Sequence, residues 1–240
     1  MQQKMKLLAK AMVQYIIFII YGNKNWKENM TLFDQAQAQT SNILDKIKFH
    51  AFIQEIKNGT LSEDKFAYYM QQDVFYLQDY IECNKMITQK ISPNYKVFFL
   101  SHIEGSIIEQ KSDQAYIDQH LEYKTNYTTI ATEGYTSHLI KTCSTQAVEI
   151  AVAAILACET TYKALGEYLY DSTHNNPYAF WITPLHDPEY IKTVDHLTMI
   201  FNELGANTSN STQSIMLDIF SKSSEWEYYF WDASYSKQIF

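Results

Sequence analysis

The chain contains no arginine: all nineteen of its basic residues are lysine, against 27 acidic ones, and its formal net charge is −8. Arginine is the side chain that clamps carboxylate and phosphate groups through paired hydrogen bonds. Without it, and without a basic face, nucleic acid is excluded as a partner and a polyanionic ligand is disfavoured. Glycine and proline are scarce, at six and four. That leaves too few turn signals for an all-β fold. The three cysteines, Cys83, Cys143 and Cys158, are odd in number and form no C-x-x-C pair. They fit reduced thiols better than a disulfide framework or a zinc site. No E-x-x-H or H-E-x-x-H pair occurs, and His102-Ile103-Glu104 and Asp118-Gln119-His120 stand isolated. Neither a metal nor a cofactor is expected.

What the chain does have is a hydrophobic content of 46% and nineteen tyrosines. A chain of 240 residues with this composition buries a sizeable core. Apolar positions recur at helical spacing. Ile43, Ile47, Phe49, Phe52, Ile53 and Ile56 form one stripe, stopped by Lys57-Asn58-Gly59-Thr60. Ser62 is placed to cap a helix that runs to about residue 90, where Ile91-Ser92-Pro93 breaks it. Further helices are expected over 95–110, 114–124, after Glu133-Gly134, over 145–170, and from His186-Asp187-Pro188 to 204. A last one carries Glu225 to Trp231. The expected fold is all-α, a multi-helix bundle of eight to ten helices, occupying 30–240.

Residues 1–29 are read separately, as an N-terminal extension. Lys4, Lys6 and Lys10 precede an apolar run from Met12 to Tyr21, similar to the charged and hydrophobic regions of a signal peptide. The following Gly22-Asn23-Lys24-Asn25-Trp26 lacks a small-x-small cleavage pattern. A membrane anchor is the related reading, and a mis-called start ahead of Met30 or a loosely docked helix are the plainer ones. The expected location is cytoplasmic, or the secretory pathway if 1–29 is a signal.

Six residues stand out as candidates for chemistry. Asp73 and Tyr76 are three apart in a helical segment, and Cys158 and Tyr162 are four apart in another, so each pair shares a helix face. Asp73 sits among Tyr69, Val74, Phe75 and Leu77, where a carboxylate costs several kcal/mol unless it is paired or hydrogen-bonded. Glu227, among Trp226, Tyr228, Tyr229, Phe230 and Trp231, has surroundings that raise a carboxyl pKa toward proton-donor range. The plainer readings are a core cysteine, a solvated Asp73 and an amphipathic end helix. Tyr76 and Tyr135 are candidate donors to the thiol, and Tyr162 is a further neighbour.

These residues, in this order, resemble the thiaminase II (TenA) family, Cys-bearing branch. The resemblance rests on His50-Ala51-Phe52, Asn58-Gly59-Thr60-Leu61, Gln72-Asp73-Val74-Phe75-Tyr76-Leu77, Tyr135-Thr136-Ser137-His138, Cys158 with Tyr162, Pro177-Tyr178 with Trp181-Ile182, and Glu227-Tyr228-Tyr229-Phe230-Trp231. It implies a heme-oxygenase-like fold and an aminopyrimidine aminohydrolase. Such an enzyme takes an aminopyrimidine or thiamin and releases 4-amino-5-hydroxymethyl-2-methylpyrimidine. By the same resemblance Cys158 is the nucleophile and Glu227 the proton donor to the leaving group. Tyr76 activates the thiol, Asp73 holds the pyrimidine amine and ring nitrogen, and Tyr162 and Tyr135 belong to the pocket. It implies a homo-oligomer, a tetramer.

The chain departs from the family pattern at four places: Ala51, Ala157, Thr160 and Leu185, the last standing where relatives place a substrate-contacting tyrosine. Leu185 keeps open a substrate-shifted or non-catalytic member of the fold. Heme oxygenase would use His50 but lacks its Gly-rich helix here. A pyrroloquinoline-quinone synthase would need cations for a polycarboxylate.

Overall fold

A computed structural model describes residues 30–238. Nine α-helices and no strand occur among them. The expected extension at 1–29 lies outside the described residues. Helix α1 (Leu32–Lys48) opens on a reciprocal cap: Asp34 N donates to the Thr31 hydroxyl, and Thr31 N donates to the Asp34 carboxylate. The apolar stripe expected to run through residue 56 is divided at Phe49. Phe49 ends α1 and His50 caps α2 (Ala51–Asn58), its Nδ1 accepting from Phe52 N at 3.2 Å. The stripe continues across the break because Ile47, Phe52, Ile53 and Ile56 are all buried.

Two long helices carry the centre of the molecule. In α3 (Glu63–Lys90) Ser62 holds the cap position without bonding the helix backbone; its hydroxyl engages the Asp64 carboxylate instead. Helix α4 (Pro93–Gln119) lies along α3 and is one element where two were expected. Lys111, Ser112 and Asp113 read as an interruption, yet Asp113 is buried against α3 and the helix passes through it. Helix α5 (Ile130–Thr145) also starts earlier than expected, on the Thr129 cap, and contains Gly134. A Cβ there would lie 2.4 Å from the Trp226 ring, so the glycine serves close packing of α5 on α9 (Asn210–Ser236).

Helix α6 (Val148–Leu169) is the most enclosed: every residue from Ala151 to Ala157 is fully buried. It packs on α3, α5, α9 and α8 (Pro188–Ala206). The short α7 (Ala179–Ile182) runs into a 3-10 turn, Thr183–His186, that presses on α6. Gly166 permits this, since a Cβ there would lie 2.2 Å from the Leu185 carbonyl oxygen. That approach fixes Leu185 at the mouth of the space between α3, α4 and α6.

Candidate active site

A cavity of about 430 Å³ opens between α3, α4, α6 and α7. Its aromatic wall is Tyr76, Tyr80, Tyr116, Tyr162, Phe180, Trp181 and Tyr190. Its carboxyls are Asp73 from α3, Glu109 and Asp113 from α4, Glu159 from α6, and Asp187. Among the described residues no lysine or histidine lines it. Leu185 lines it too.

Cys158 is at the cavity wall on α6. Tyr76, one of the candidate donors, is beside the thiol: its hydroxyl has no aligned hydrogen-bond partner, and its interaction with the sulfur favours thiolate. Burial acts the other way and wins, with Glu227 and Glu159 adding repulsion, so the thiol is pushed well above its ordinary pKa. The resting group is therefore a neutral thiol. Tyr135 does not line the cavity. Behind Cys158, its hydroxyl donates to Glu227 Oε1 at 2.7 Å, while its ring lies 5.0 Å from that of Tyr76. Tyr162 faces the cavity but bonds Tyr69, the two hydroxyl oxygens 2.9 Å apart.

Glu227 reaches in from α9 and is buried. Burial raises its carboxyl to about 7, opposed by the hydrogen bonds from Tyr135 and Cys158. A carboxyl at that value, bonded to a thiol, can accept the thiol proton and return it elsewhere near neutral pH. Asp73 is raised by burial to about 6, and its carboxyl is hydrogen-bonded to that of Asp113. Burial and the neighbouring Asp73 push Asp113 up far more strongly. Glu109 keeps an exposed edge at the cavity wall, and desolvation there, followed by the neighbouring Asp73, pushes its carboxyl up. Glu159 differs. Burial opposes its charge, but His102 and the Tyr80 hydroxyl, which donates to Oε1 at 2.7 Å, hold it below the usual carboxylate value. His102 Nε2 stands 3.3 Å from the same oxygen.

The six sequence candidates thus fall in one place. Asp73, Tyr76, Cys158 and Tyr162 face the cavity, and Tyr135 and Glu227 support the thiol from behind. Sequence reasoning passed over Glu109, Asp113 and Glu159. The last follows Cys158 directly, and an acid beside a thiol on an apolar helix is a signal that was available. Glu109 and Asp113 are four apart on α4, but the polar run 109–114 resembles a solvated surface.

The description "TENA/THI-4/PQQC family" matches residues 37–237. An "Aminopyrimidine aminohydrolase" from Helicobacter pylori is 26% identical over 198 residues, covering 78% of this chain and 90% of that protein. A TenA homologue from P. horikoshii OT3 superposes with a TM-score of 0.79 at 22% identity, over 87% of this chain and 100% of the other. A domain from Shewanella denitrificans OS217 described as having a heme oxygenase-like fold gives 0.70 at 12% identity, over 87% and 94%. The expected fold is therefore the observed one: an all-α, heme-oxygenase-like bundle. The chain belongs to the TENA/THI-4/PQQC family.

Proposed function

We propose that this chain is an aminopyrimidine aminohydrolase of the thiaminase II kind. The observation that carries the reading is one constellation: the Cys158 thiol touching both Tyr76 and the Glu227 carboxyl, at the wall of an aromatic cavity that also presents Asp73. A flat, neutral heteroaromatic ring suits such walls. Asp73 holds the amine and ring nitrogen of the pyrimidine. The sulfur of Cys158 bonds to the unsubstituted ring carbon beside the one bearing the side chain, and its proton passes to Glu227. The bond from the exocyclic methylene to the leaving amine then breaks, and Glu227 returns the proton to the departing nitrogen. Water adds its hydroxyl to the methylene and gives its proton to Glu227, which returns it to the sulfur as that leaves, and the aromatic hydroxymethyl-pyrimidine is released with the thiol restored.

The carboxyl-rich lining supports substrates whose leaving group is positively charged as it departs: an amine once Glu227 has protonated it, or a thiazolium, which needs no proton and leaves Glu227 to keep its own. Hydrolysis of 4-amino-5-aminomethyl-2-methylpyrimidine, compared with thiamin, tests the reading through the hydroxymethyl-pyrimidine released. Turnover of one of the two is expected, and turnover of neither would overturn it. Cys158→Ser is expected to keep its fold and lose at least 10²-fold in kcat, since a hydroxyl is the weaker nucleophile. A near-normal kcat in that variant would remove the thiol from the mechanism. A homo-oligomer, a tetramer, in the cytoplasm belongs to the same proposal; light scattering and cell fractionation test those two parts. The second reading, a substrate-shifted member, is favoured by Leu185 alone.

A further inference from the structure

We propose that Asp113 is a further working residue of this site, holding jointly with Asp73 the single proton that the pyrimidine ring nitrogen takes up when the thiol adds. The inference rests on the reading that Asp73 receives the pyrimidine. Both carboxyls line the cavity, both are buried, and they are hydrogen-bonded to each other across the α3–α4 contact. A hydrogen bond between two carboxyls requires a proton on one of them. The titratable groups that face the pair are acids, phenols and a thiol. Tyr69 comes from α3, Glu109 from α4, Cys158 and Tyr162 from α6, and Glu227 from α9. Among the described residues no lysine or histidine lines the cavity wall to neutralise a second charge. Two ionised carboxylates in contact and out of water repel strongly, so the pair retains one proton across the neutral range.

That is the proton the reaction needs. When sulfur bonds to the ring carbon, an electron pair of the aromatic system moves onto the ring nitrogen. The free ring nitrogen is a weak base, whereas the nitrogen of the adduct is strongly basic. A proton held tightly by the pair stays in place in the empty site and moves to nitrogen only as the adduct forms. When the ring re-aromatises and sulfur leaves, the electron pair returns and the pair of carboxyls recovers its proton. Atoms and charge balance over the cycle, and no other reagent is consumed. Asp113 acts through Asp73, so it is a positioning residue that holds a proton rather than a group that touches the substrate.

The test uses the full chain and two variants, Asp113→Asn and Asp113→Glu. The amide cannot give up a proton, and its N–H favours an ionised Asp73. Asp113→Asn is expected to lose roughly 10²-fold in kcat with little change in KM, and to regain activity as the pH is lowered enough to protonate Asp73. Asp113→Glu keeps the carboxyl and is expected to restore most of kcat and the wild-type pH profile. Carbon-13 NMR of labelled aspartate carboxyls reads the proton without turnover. In the wild type one carboxyl of the pair remains protonated above neutral pH, and in Asp113→Asn Asp73 titrates lower. Unchanged kcat in Asp113→Asn, a loss with no change of pH profile, or two carboxyls that both ionise in mild acid would each overturn the inference. If Asp113→Asn fails to fold, the wild-type titration decides alone. Absence of wild-type turnover on any aminopyrimidine would instead overturn the proposed function, and the role of Asp113 with it.

Discussion

At the scale of single residues, the site is governed by buried acids whose protons are worth more than their charges. Glu227 shows this in stability as well as in chemistry. Its carboxyl rises from an ordinary 4.5 to about 7, chiefly through burial. The folded state therefore favours its protonated form. That contribution is fully present below 4.5 and is lost as the pH rises through about 7. The gap corresponds to roughly 3 kcal/mol. Glu227→Gln removes the titration and keeps an oxygen for Tyr135. Its melting temperature should fall less than that of the wild type between pH 5 and 8, while turnover is lost. Equal slopes by calorimetry would mean that Glu227 is not the buried acid described.

Leu185 is the other decisive residue. It puts an aliphatic group where a phenol is expected, and a ligand polar group left without a partner costs roughly 1–3 kcal/mol. Tyr178 cannot substitute, because its hydroxyl donates to the Leu61 carbonyl at 2.6 Å and it does not line the cavity. Tyr190 does line it, with its hydroxyl 3.2 Å from the Glu159 carbonyl oxygen. Leu185→Tyr is expected to raise kcat/KM on the aminomethyl substrate by about tenfold or more. Steady-state kinetics that show no gain would mean either that another group, such as Tyr190, already fills the role or that the substrate does not need that contact.

At the scale of elements, the parts readable in the sequence were those set by periodicity and by local punctuation. Helix α6, the break at Ile91-Ser92-Pro93 and the Asp187-Pro188 start all fall where apolar spacing and capping chemistry place them. The misread places are those where a distant side chain overrides the local signal. Asp113 looked like a surface residue in a break, because nothing within α4 reveals that α3 supplies its partner. Gly134 looked like a helix boundary, because nothing within α5 reveals Trp226. The second case gives a sharp test. Alanine favours a helix over glycine by about 1 kcal/mol, but its Cβ would meet the Trp226 ring at 2.4 Å, and overpacking costs roughly 1–3 kcal/mol. Gly134→Ala should lower the melting temperature of the wild type and raise it in a Trp226→Ala background. A rise in both backgrounds would show that the glycine is not kept for packing.

At the scale of the whole molecule, the site is assembled from six helices spread along the chain. Its geometry therefore depends on the packing of α3, α4, α5, α6, α7 and α9 rather than on any one segment. The motifs could mark Cys158, Asp73 and Glu227 individually, but only the bundle shows that Tyr76 and Glu227 meet at one sulfur. No helix among the described residues is long and apolar enough to cross a membrane. The bundle starts with its own cap at Thr31 and Asp34, and the backbone of Phe33 is tied to Asn202 of α8 at 2.9 Å. Leu32 is buried near Gly205. These contacts close the N-terminal end of α1 from within 30–238. A chain beginning at Met30 is therefore expected to fold with the melting temperature of the full chain to within a few degrees. Its kcat/KM on the aminomethyl substrate should match as well, since every residue assigned to the site lies beyond Leu61. Calorimetry and kinetics on the two chains side by side make the comparison. An insoluble product, or a large fall in melting temperature with intact kinetics, would mean that residues 1–29 cover part of the core; loss of turnover in a stable bundle would mean that they reach the site.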